Sequence, residues 1–494
     1  MNLLAHGLYV LCAAAIASAV PASAFSGGAG VFLTLGVIGL WRYGWALVNF
    51  ARAHVYIRLA YPRRRAAAEA AYRDRRPAHA FFLATSYKID AEISARVYRS
   101  IFRAARQSRG GATVVASVVD IADERLIRTI AAQVLQGVST VEVVIDRIEG
   151  TGKRDALATS LRTIGRRYPS ADDVVLLIDG DTQIPVDVVE RAAPFFTNPK
   201  MGALTTDEAA DITDRPSFRD WFRLRFTQRQ MMMSAVALSR RVLTLTGRMS
   251  VFRADLATRP DFIASIEEDS IEHWRLGTVK FLTGDDKSTW FWLLKSGYEM
   301  AYLPDVRCLS METQPKDSFV ESAVTLMRRW FGNMLRTNGR ALALGPQKIG
   351  LFVWWSILDQ RVSMWTTLTA PVGIALFSVF IDPLIAVAYV AWVMATRYAY
   401  CWLLATFGGP FPVTYPFLLY FGQLFGAAIK TSVMFRLDRQ RWTRQATTLA
   451  RGVGRAGRLR AASSSYMHIL AIGLLVAGVI FATGLLSPLP VHAN

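Results

Sequence analysis

Two carboxylates separated by one glycine close the run Val174-Val175-Leu176-Leu177-Ile178-Asp179-Gly180-Asp181-Thr182. Residues at i and i+2 of an extended chain project to one face, and an α/β sheet binds ligands at the carboxyl ends of its strands. Two hard oxygen donors at such a place suit Mg²⁺ or Mn²⁺, which keep waters and hold substrate phosphates. Taken alone, the same three residues also describe a solvated Asp-Gly-Asp turn. Upstream, Gly150-Thr151-Gly152-Lys153-Arg154-Asp155-Ala156-Leu157 places two glycines ahead of two cations where a helical stretch begins. Glycines allow close backbone approach, and Lys153 and Arg154 suit a diphosphate. The spacing is not that of a Walker A loop, and a basic loop capping a helix would read the same way. Asp285-Asp286, within Leu282–Ser288, are adjacent carboxylates that cannot ionise independently. Each raises the pKa of the other, which suits one as a general base, although Asp also caps helices. In Met327-Arg328-Arg329-Trp330 a cation beside an indole can grip a phosphate and stack on a sugar ring. An amphipathic surface helix is the plainer reading.

Something must hold these groups together. The chain has 494 residues, more than one compact domain requires. With 52% hydrophobic and only 19% charged residues it is not disordered, and it is too apolar for an ordinary soluble enzyme. Its net charge of +19 predicts a membrane protein with cations on one side, or an anionic partner. Cys12, Cys308 and Cys401 lie too far apart for a CxxC zinc site or a disulfide ladder. From His79 to about Gly345 short apolar runs (Ala80–Thr85, Thr113–Val119, Val141–Ile145, Val174–Ile178) alternate with helical patterns, as in an α/β domain with a parallel core.

Apolar segments flank this domain. Leu8–Val20 followed by Ala22-Ser23-Ala24 imitates a signal peptide, but Met1–Gly7 has no Lys or Arg and a second apolar run, Gly30–Phe50, follows directly. Residues 1–50 are therefore expected as two transmembrane helices. The arginines in 51–78 predict a basic cytosolic linker and put the 79–345 domain in the cytoplasm. Residues 346–361, with Trp354 and Trp355, are expected as an interfacial helix and 362–407 as a transmembrane hairpin broken at Asp382-Pro383. If Val413–Phe435 spanned, the arginine-rich loop after it would lie outside, so 408–466 is expected as an interfacial helix and a basic loop. Residues 467–494 then hold a last span and a tail, with the C-terminus outside. Arg397 falls within a span, where a charge faces the protein interior or snorkels.

The order of the motifs resembles the processive family 2 glycosyltransferases, the inverting class that includes cellulose, chitin and hyaluronan synthases, over nearly the whole chain. Further segments, Leu243–Arg253, Glu268-Asp269-Ser270 with His273-Trp274-Arg275, Asp359–Trp365 and Arg436–Gln440, resemble the alginate-polymerising (mannuronan synthase) branch. The resemblance implies a nucleotide-diphospho-sugar transferase domain, Rossmann-like, with a multi-pass α-helical membrane region in the bacterial inner membrane. It implies that Tyr87 and Asp120 (or Asp123 beside it) contact the nucleoside, that Lys153, Arg154 and Arg329 bind the diphosphate, and that Asp179 and Asp181 hold a divalent metal with it. Asp286, with Asp285 beside it, would deprotonate the acceptor hydroxyl, and Trp330 would bind the acceptor. Arg439, Arg441, Trp442 and Arg444 match a gating loop, though a basic patch on anionic lipid reads alike. The family's last motif is usually Q-x-x-R-W; here Leu326 takes the glutamine position. The implied reaction polymerises mannuronate from GDP-mannuronate into β-1,4-polymannuronate and couples synthesis to translocation. Implied partners are a PilZ-domain cyclic-di-GMP-binding copolymerase subunit, a periplasmic and outer-membrane alginate export complex, and the lipid bilayer. The same enzyme class with another donor, such as UDP-N-acetylglucosamine, is the nearest alternative. A transporter would explain the spans but not the ordered motifs, and nucleic-acid binding fits only the charge, so no nucleic-acid partner is expected.

Overall fold

The computed structural model describes residues 2–22, 29–212, 215–280, 282–439 and 454–485. Ten strands are formed: β1 (Ala80–Thr85), β2 (Ala112–Val118), β3 (Val141–Arg147), β4 (Val174–Asp179), β5 (Thr182–Gln183), β6 (Met201–Asp211), β7 (Met249–Arg253), β8 (Ile271–His273), β9 (Gly277–Val279) and β10 (Glu299–Met311). Eight build one sheet in the order β3-β2-β1-β4-β7-β6-β10-β5, and β8 and β9 pair separately. The first four strands are mutually parallel. β1 and β2 are buried along their whole length, which is why their sequences read as unbroken apolar runs rather than alternating ones. β3 lies at the edge and carries Glu142 and Asp146, charges that blunt an exposed strand edge.

β7 runs antiparallel between β4 and β6. Its insertion carries the loop Gly247-Arg248 up to the end of β4, where the Arg248 carbonyl accepts from the Asp179 N–H at 3.0 Å. No periodicity in the sequence announced this strand. The helix that follows β1, Ala91–Gln107, starts where Asp90 accepts hydrogen bonds from the Glu92 and Ile93 N–H groups.

Most of the stretch expected as a basic linker, up to Tyr72, is helical. Helix Ala29–Val55 passes through one wider π turn, Tyr56–Ala60, into helix Tyr61–Tyr72. Its arginines have structural partners. Arg52 donates to the Ala235 carbonyl (3.2 Å) and Ser239 Oγ (2.7 Å), and Arg64 to the carbonyls of Ala237 (2.9 Å) and Leu238 (3.0 Å). Together they cap the C-terminus of helix Pro216–Ala237, where free carbonyls favour cations.

Among the described residues, four helices are long and apolar enough to cross a membrane: Leu351–Phe380, Leu384–Gly408, Tyr415–Met434 and Arg455–Thr483. Two expected boundaries are revised. The proposed interfacial segment 346–361 does not end near 361; Leu351–Phe380 runs unbroken through it, with Pro371 inside. The last helix begins at Arg455, well before 467. Residues 413–435 do form a helix, Tyr415–Met434, which meets the length and composition of a span while packing Ile429 against Met327 of helix Phe319–Ala343. Arg397 turns inward: Nε donates to Gln423 Oε1 at 2.7 Å and Nη1 to the Tyr43 hydroxyl at 2.9 Å, joining three helices. Of the basic loop, Arg439 is exposed, whereas Arg441, Trp442 and Arg444 lie outside the described residues.

Candidate active site

A cavity of about 370 Å³ opens at the carboxyl ends of β1, β2 and β4. Its wall is built from Thr85-Ser86-Tyr87 after β1, Ser117 and Val119 at the end of β2, and Asp179-Gly180-Asp181 after β4. Gly180 is required by space: a β-carbon there would sit 2.5 Å from Ile89 Cδ1 and 2.7 Å from the Thr85 carbonyl oxygen. The glycine thus lets the two carboxylates turn into the cavity beside the first strand.

Lys153 begins helix Lys153–Gly165 and also lines the cavity. Its ammonium lies 2.6 Å from Asp179 Oδ1 and 2.9 Å from Asp285 Oδ2. Burial opposes the charge, but the two carboxylates outweigh it and hold the Lys153 pKa above its ordinary value. Gly247 approaches Asp179 from behind the cavity, 3.2 Å from Asp179 Oδ2 to where its β-carbon would stand. Asp285 and Asp286 open helix Asp285–Lys295. Asp286 borders a second, small cavity shared with Asp179, Gly247 and Lys153. Burial, then the neighbouring Asp285 charge, pushes its pKa up to about 6. A carboxylate raised in this way remains ionised at neutral pH and is a stronger base than an ordinary one.

Asp179 and Asp181 offer oxygen donors from one side only, and among the described residues no group of three or more His, Cys, Asp or Glu could cage a metal. That donor set fits Mg²⁺ or Mn²⁺, which take one or two carboxylates and complete their shell with phosphates and water. The Lys153 ammonium between Asp179 and Asp285 offsets part of the negative charge of this wall.

Across the cavity Arg329 comes from helix Phe319–Ala343 and Arg248 from the loop before β7. Arg248 is ion-paired with Glu312 (2.5 Å) and Glu208 (3.3 Å). The cavity thus has one acidic wall and one basic wall, suited to a nucleoside diphosphate carrying a cation. Residues 77–333 match a family model described as "Glycosyltransferase like family 2". The chain belongs to the family 2 glycosyltransferases. Two similar proteins are both named "Glycosyltransferase alg8". The one from Pseudomonas syringae pv. tomato is 41% identical over 461 residues, 91% of this chain and 93% of that protein. The one from Azotobacter vinelandii is 42% identical over 438 residues, 88% and 89% of the two chains. Among solved structures, the mannosyltransferase PcManGT from Pyrobaculum calidifontis in complex with GDP-Man and Mn²⁺ is 18% identical, with a TM-score of 0.43, over 77% of this chain and 98% of its own.

The glycosyltransferase domain sorts the residues singled out from sequence into three groups. Tyr87, Lys153, Asp179, Asp181 and Arg329 line one cavity, and Asp285 reaches it through Lys153. Arg154 does not point there. It is buried, and donates to the carbonyls of Leu282 and Ile266 and to Ser288 Oγ. It therefore anchors the loop before Asp285 rather than lining the diphosphate cavity. Asp120 is exposed and accepts from the Ala122 N–H at 3.0 Å, capping helix Ile121–Val134; Val119 faces the cavity in its place. Asp123 is not among the lining residues either. Trp330 lies outside this cavity and stacks on Trp221, ring centroids 5.6 Å apart at 22°. Sequence reasoning missed Arg248 and Glu312 as lining residues. Arg248 stood inside a segment noticed only for its resemblance, and Glu312 belongs to no motif. Leu326 lines the cavity at the position where the family usually has glutamine.

Proposed function

We propose that this glycosyltransferase is processive and inverting, and that it polymerises mannuronate from GDP-mannuronate into β-1,4-polymannuronate while passing the product across the inner membrane. The observation that carries this reading is the meeting of Asp179, Asp181, Lys153 and Arg329 in one cavity, on a chain about 41% identical to proteins named for alg8 over nine-tenths of its length. The Arg329-Trp330 helix packs directly on helix Tyr415–Met434, so the transfer site adjoins the apolar helices.

Tyr87 borders the nucleoside end of the cavity, and Lys153 and Arg329 grip the diphosphate. Asp179 and Asp181 would hold a divalent ion, whose charge offsets that of the departing diphosphate. Asp286 takes the proton of the acceptor hydroxyl as its oxygen bonds to the anomeric carbon and the carbon–diphosphate bond breaks on the opposite face. The proton ends on Asp286, the electron pair on the nucleoside diphosphate, and the configuration inverts. Lys153 has two roles in turn. Without donor it neutralises Asp179 and Asp285; with donor it can follow the phosphates.

The basic cluster Arg63–Arg65 supports a cytoplasmic catalytic domain. A periplasmic C-terminus follows if helix Tyr415–Met434 stays at the interface rather than crossing, as its length and composition would also allow. A PilZ-domain subunit and the export complex complete the proposed assembly. The test uses membranes bearing the chain, its PilZ partner, cyclic-di-GMP, divalent metal and labelled GDP-mannuronate. Polymer sensitive to a mannuronate-specific lyase from the wild type, and none from Asp286→Asn, supports both donor and base. Polymer from a UDP-sugar alone overturns the donor.

A further inference from the structure

Next to the cavity, three aromatic side chains and two cations form a second cluster that the transfer chemistry does not use. Arg225, on helix Pro216–Ala237, lies with its guanidinium carbon 4.6 Å from the Trp330 ring centroid and 5.2 Å from that of Trp221. The two indoles stack on each other, so the cation shares one aromatic platform with both. Lys430, from helix Tyr415–Met434, lies 4.7 Å from the ring centroid of Phe331, the residue after Trp330.

The partners of these cations set them apart. Arg248 has Glu208 and Glu312; Arg229 has Glu208; Lys153 has Asp179 and Asp285. Among the described residues, Arg225 and Lys430 make no ion pair. Arginine does not shed its proton in proteins, so a desolvated guanidinium without a counter-charge is costly unless an anion arrives. Burial, then the nearby Arg248 charge, pushes the Arg225 pKa down to about 10, the direction of a cation short of a counter-charge. A second observation is independent of charge. Trp221 is 1% exposed, and its indole N–H is a buried donor with no hydrogen-bond partner. Gly422 of helix Tyr415–Met434 faces that nitrogen, and a β-carbon there would stand 4.0 Å from it. A buried orphan donor normally finds an acceptor.

We infer that Arg225 and the Trp221 N–H together bind the carboxylate of an acidic sugar in the acceptor chain, beside Trp330, and that Lys430 meets the next carboxylate as the product moves on. A planar guanidinium can offer its N–H edge to a carboxylate bidentately while its carbon lies over an indole. Trp330 alone supplies a stacking surface that any sugar can use. The unpaired cations are what a neutral polymer would not satisfy, so they set specificity for a uronate. This rests on the acceptor being an acidic polysaccharide, and it names the residues that recognise it.

The experiment uses the full-length chain in lipid nanodiscs and two fluorescent probes: a mannuronate hexamer, and the same hexamer with its carboxylates reduced to alcohols. Wild type binds the acidic probe roughly tenfold or more tightly than the reduced one, the range of a charge-assisted hydrogen-bonded pair. Arg225→Gln loses most of that preference, and Arg225→Lys recovers part of it. Trp221→Phe deletes the N–H together with the pyrrole half of the indole while keeping an aromatic face, and loses a smaller share. Lys430→Gln weakens a twelve-residue acidic probe more than the hexamer. GDP binding measured on the same samples reports whether each variant is folded; if Arg225→Gln does not fold, Trp221→Phe decides. A wild type that does not discriminate, or an Arg225→Gln or Trp221→Phe variant that discriminates as well as wild type, overturns the assignment. Discrimination that depends on Arg225, without polymer from GDP-mannuronate, leaves this site standing and fails only the donor.

Discussion

In the cavity at the strand ends, Lys153 and Arg248 each rest between two carboxylates of the chain itself; one helix away, Arg225 has two indoles and no carboxylate. The two regions handle buried charge in opposite ways. The first is neutral by its own means, so a donor must displace existing ion pairs, and the resting site is stable without one. The second is left with a positive deficit that only a ligand can fill. Substrate exchange is easier where the protein can re-form its own pairs after the nucleotide leaves. A site that should keep hold of its chain between additions has no such internal substitute.

The contrast can be broken most severely at the base. Asp286→Asn should lower the transfer rate by roughly 10²–10⁴-fold, the usual yield of general base catalysis. Measured transfer within tenfold of wild type would remove Asp286 from that role. Its pKa gives the sign of the pH dependence: the ionised form is the base, so activity is retained above about 6 and falls as pH drops through that value. Asp285→Asn removes the second cause of the shift and leaves burial, so the acid limb of the rate profile should move part-way down; an unmoved limb would contradict the coupling.

A smaller effect comes from stripping the cavity of its own counter-charge. The Glu208 side chain is 1% exposed and faces both Arg229 and Arg248. Glu208→Gln should cost about 3–5 kcal/mol, as expected for breaking a buried pair. Thermal unfolding in detergent reads this directly, and a variant as stable as wild type would show that the pairs are dispensable. Gly180→Ala tests the geometry rather than the charge. Its β-carbon would meet Ile89 at 2.5 Å and the Thr85 backbone at 2.7 Å. Overpacking of about 1–3 kcal/mol should be accompanied by weaker GDP binding in a titration. The smallest change is Asp120→Ala. As a helix cap it is worth about 1 kcal/mol, and GDP affinity should hold. A tenfold loss of GDP affinity would instead restore Asp120 to the nucleoside.

The part of this that sequence could reveal follows a physical line. Asp179 and Asp181 were legible because a buried strand and its end are local features: an apolar run, then polar residues at spacing two. The pairing of β1, β2 and β4 follows from such runs. Lys153 and Arg154 looked equivalent, yet successive residues on a helix diverge by about 100°; one reaches the carboxylates and the other the loop at Leu282. β7 was not legible because its five residues make a short, fully buried antiparallel strand with no alternation of apolar and polar faces. Arg225 was not legible because its meaning comes from Trp221 on its own helix, Trp330 on another and an absent carboxylate, none of which a linear pattern records. In the basic run 51–78 the capping by Arg52 and Arg64 was not legible, because cations that serve as helix caps have the same composition as cations in a linker.

Those caps have a mechanical side. From Ala29 to Tyr72 the chain is helical throughout, and through Arg52 and Arg64 it is fastened to the end of the helix that carries Arg225. No slack segment intervenes to take up rotation. Bilayer helices answer changes in membrane thickness by tilting. If Ala29–Val55 crosses the bilayer as its sequence predicts, its tilt would be carried along this stiff lever to the helix that bears Arg225, and lipid composition would then enter the enzyme's performance.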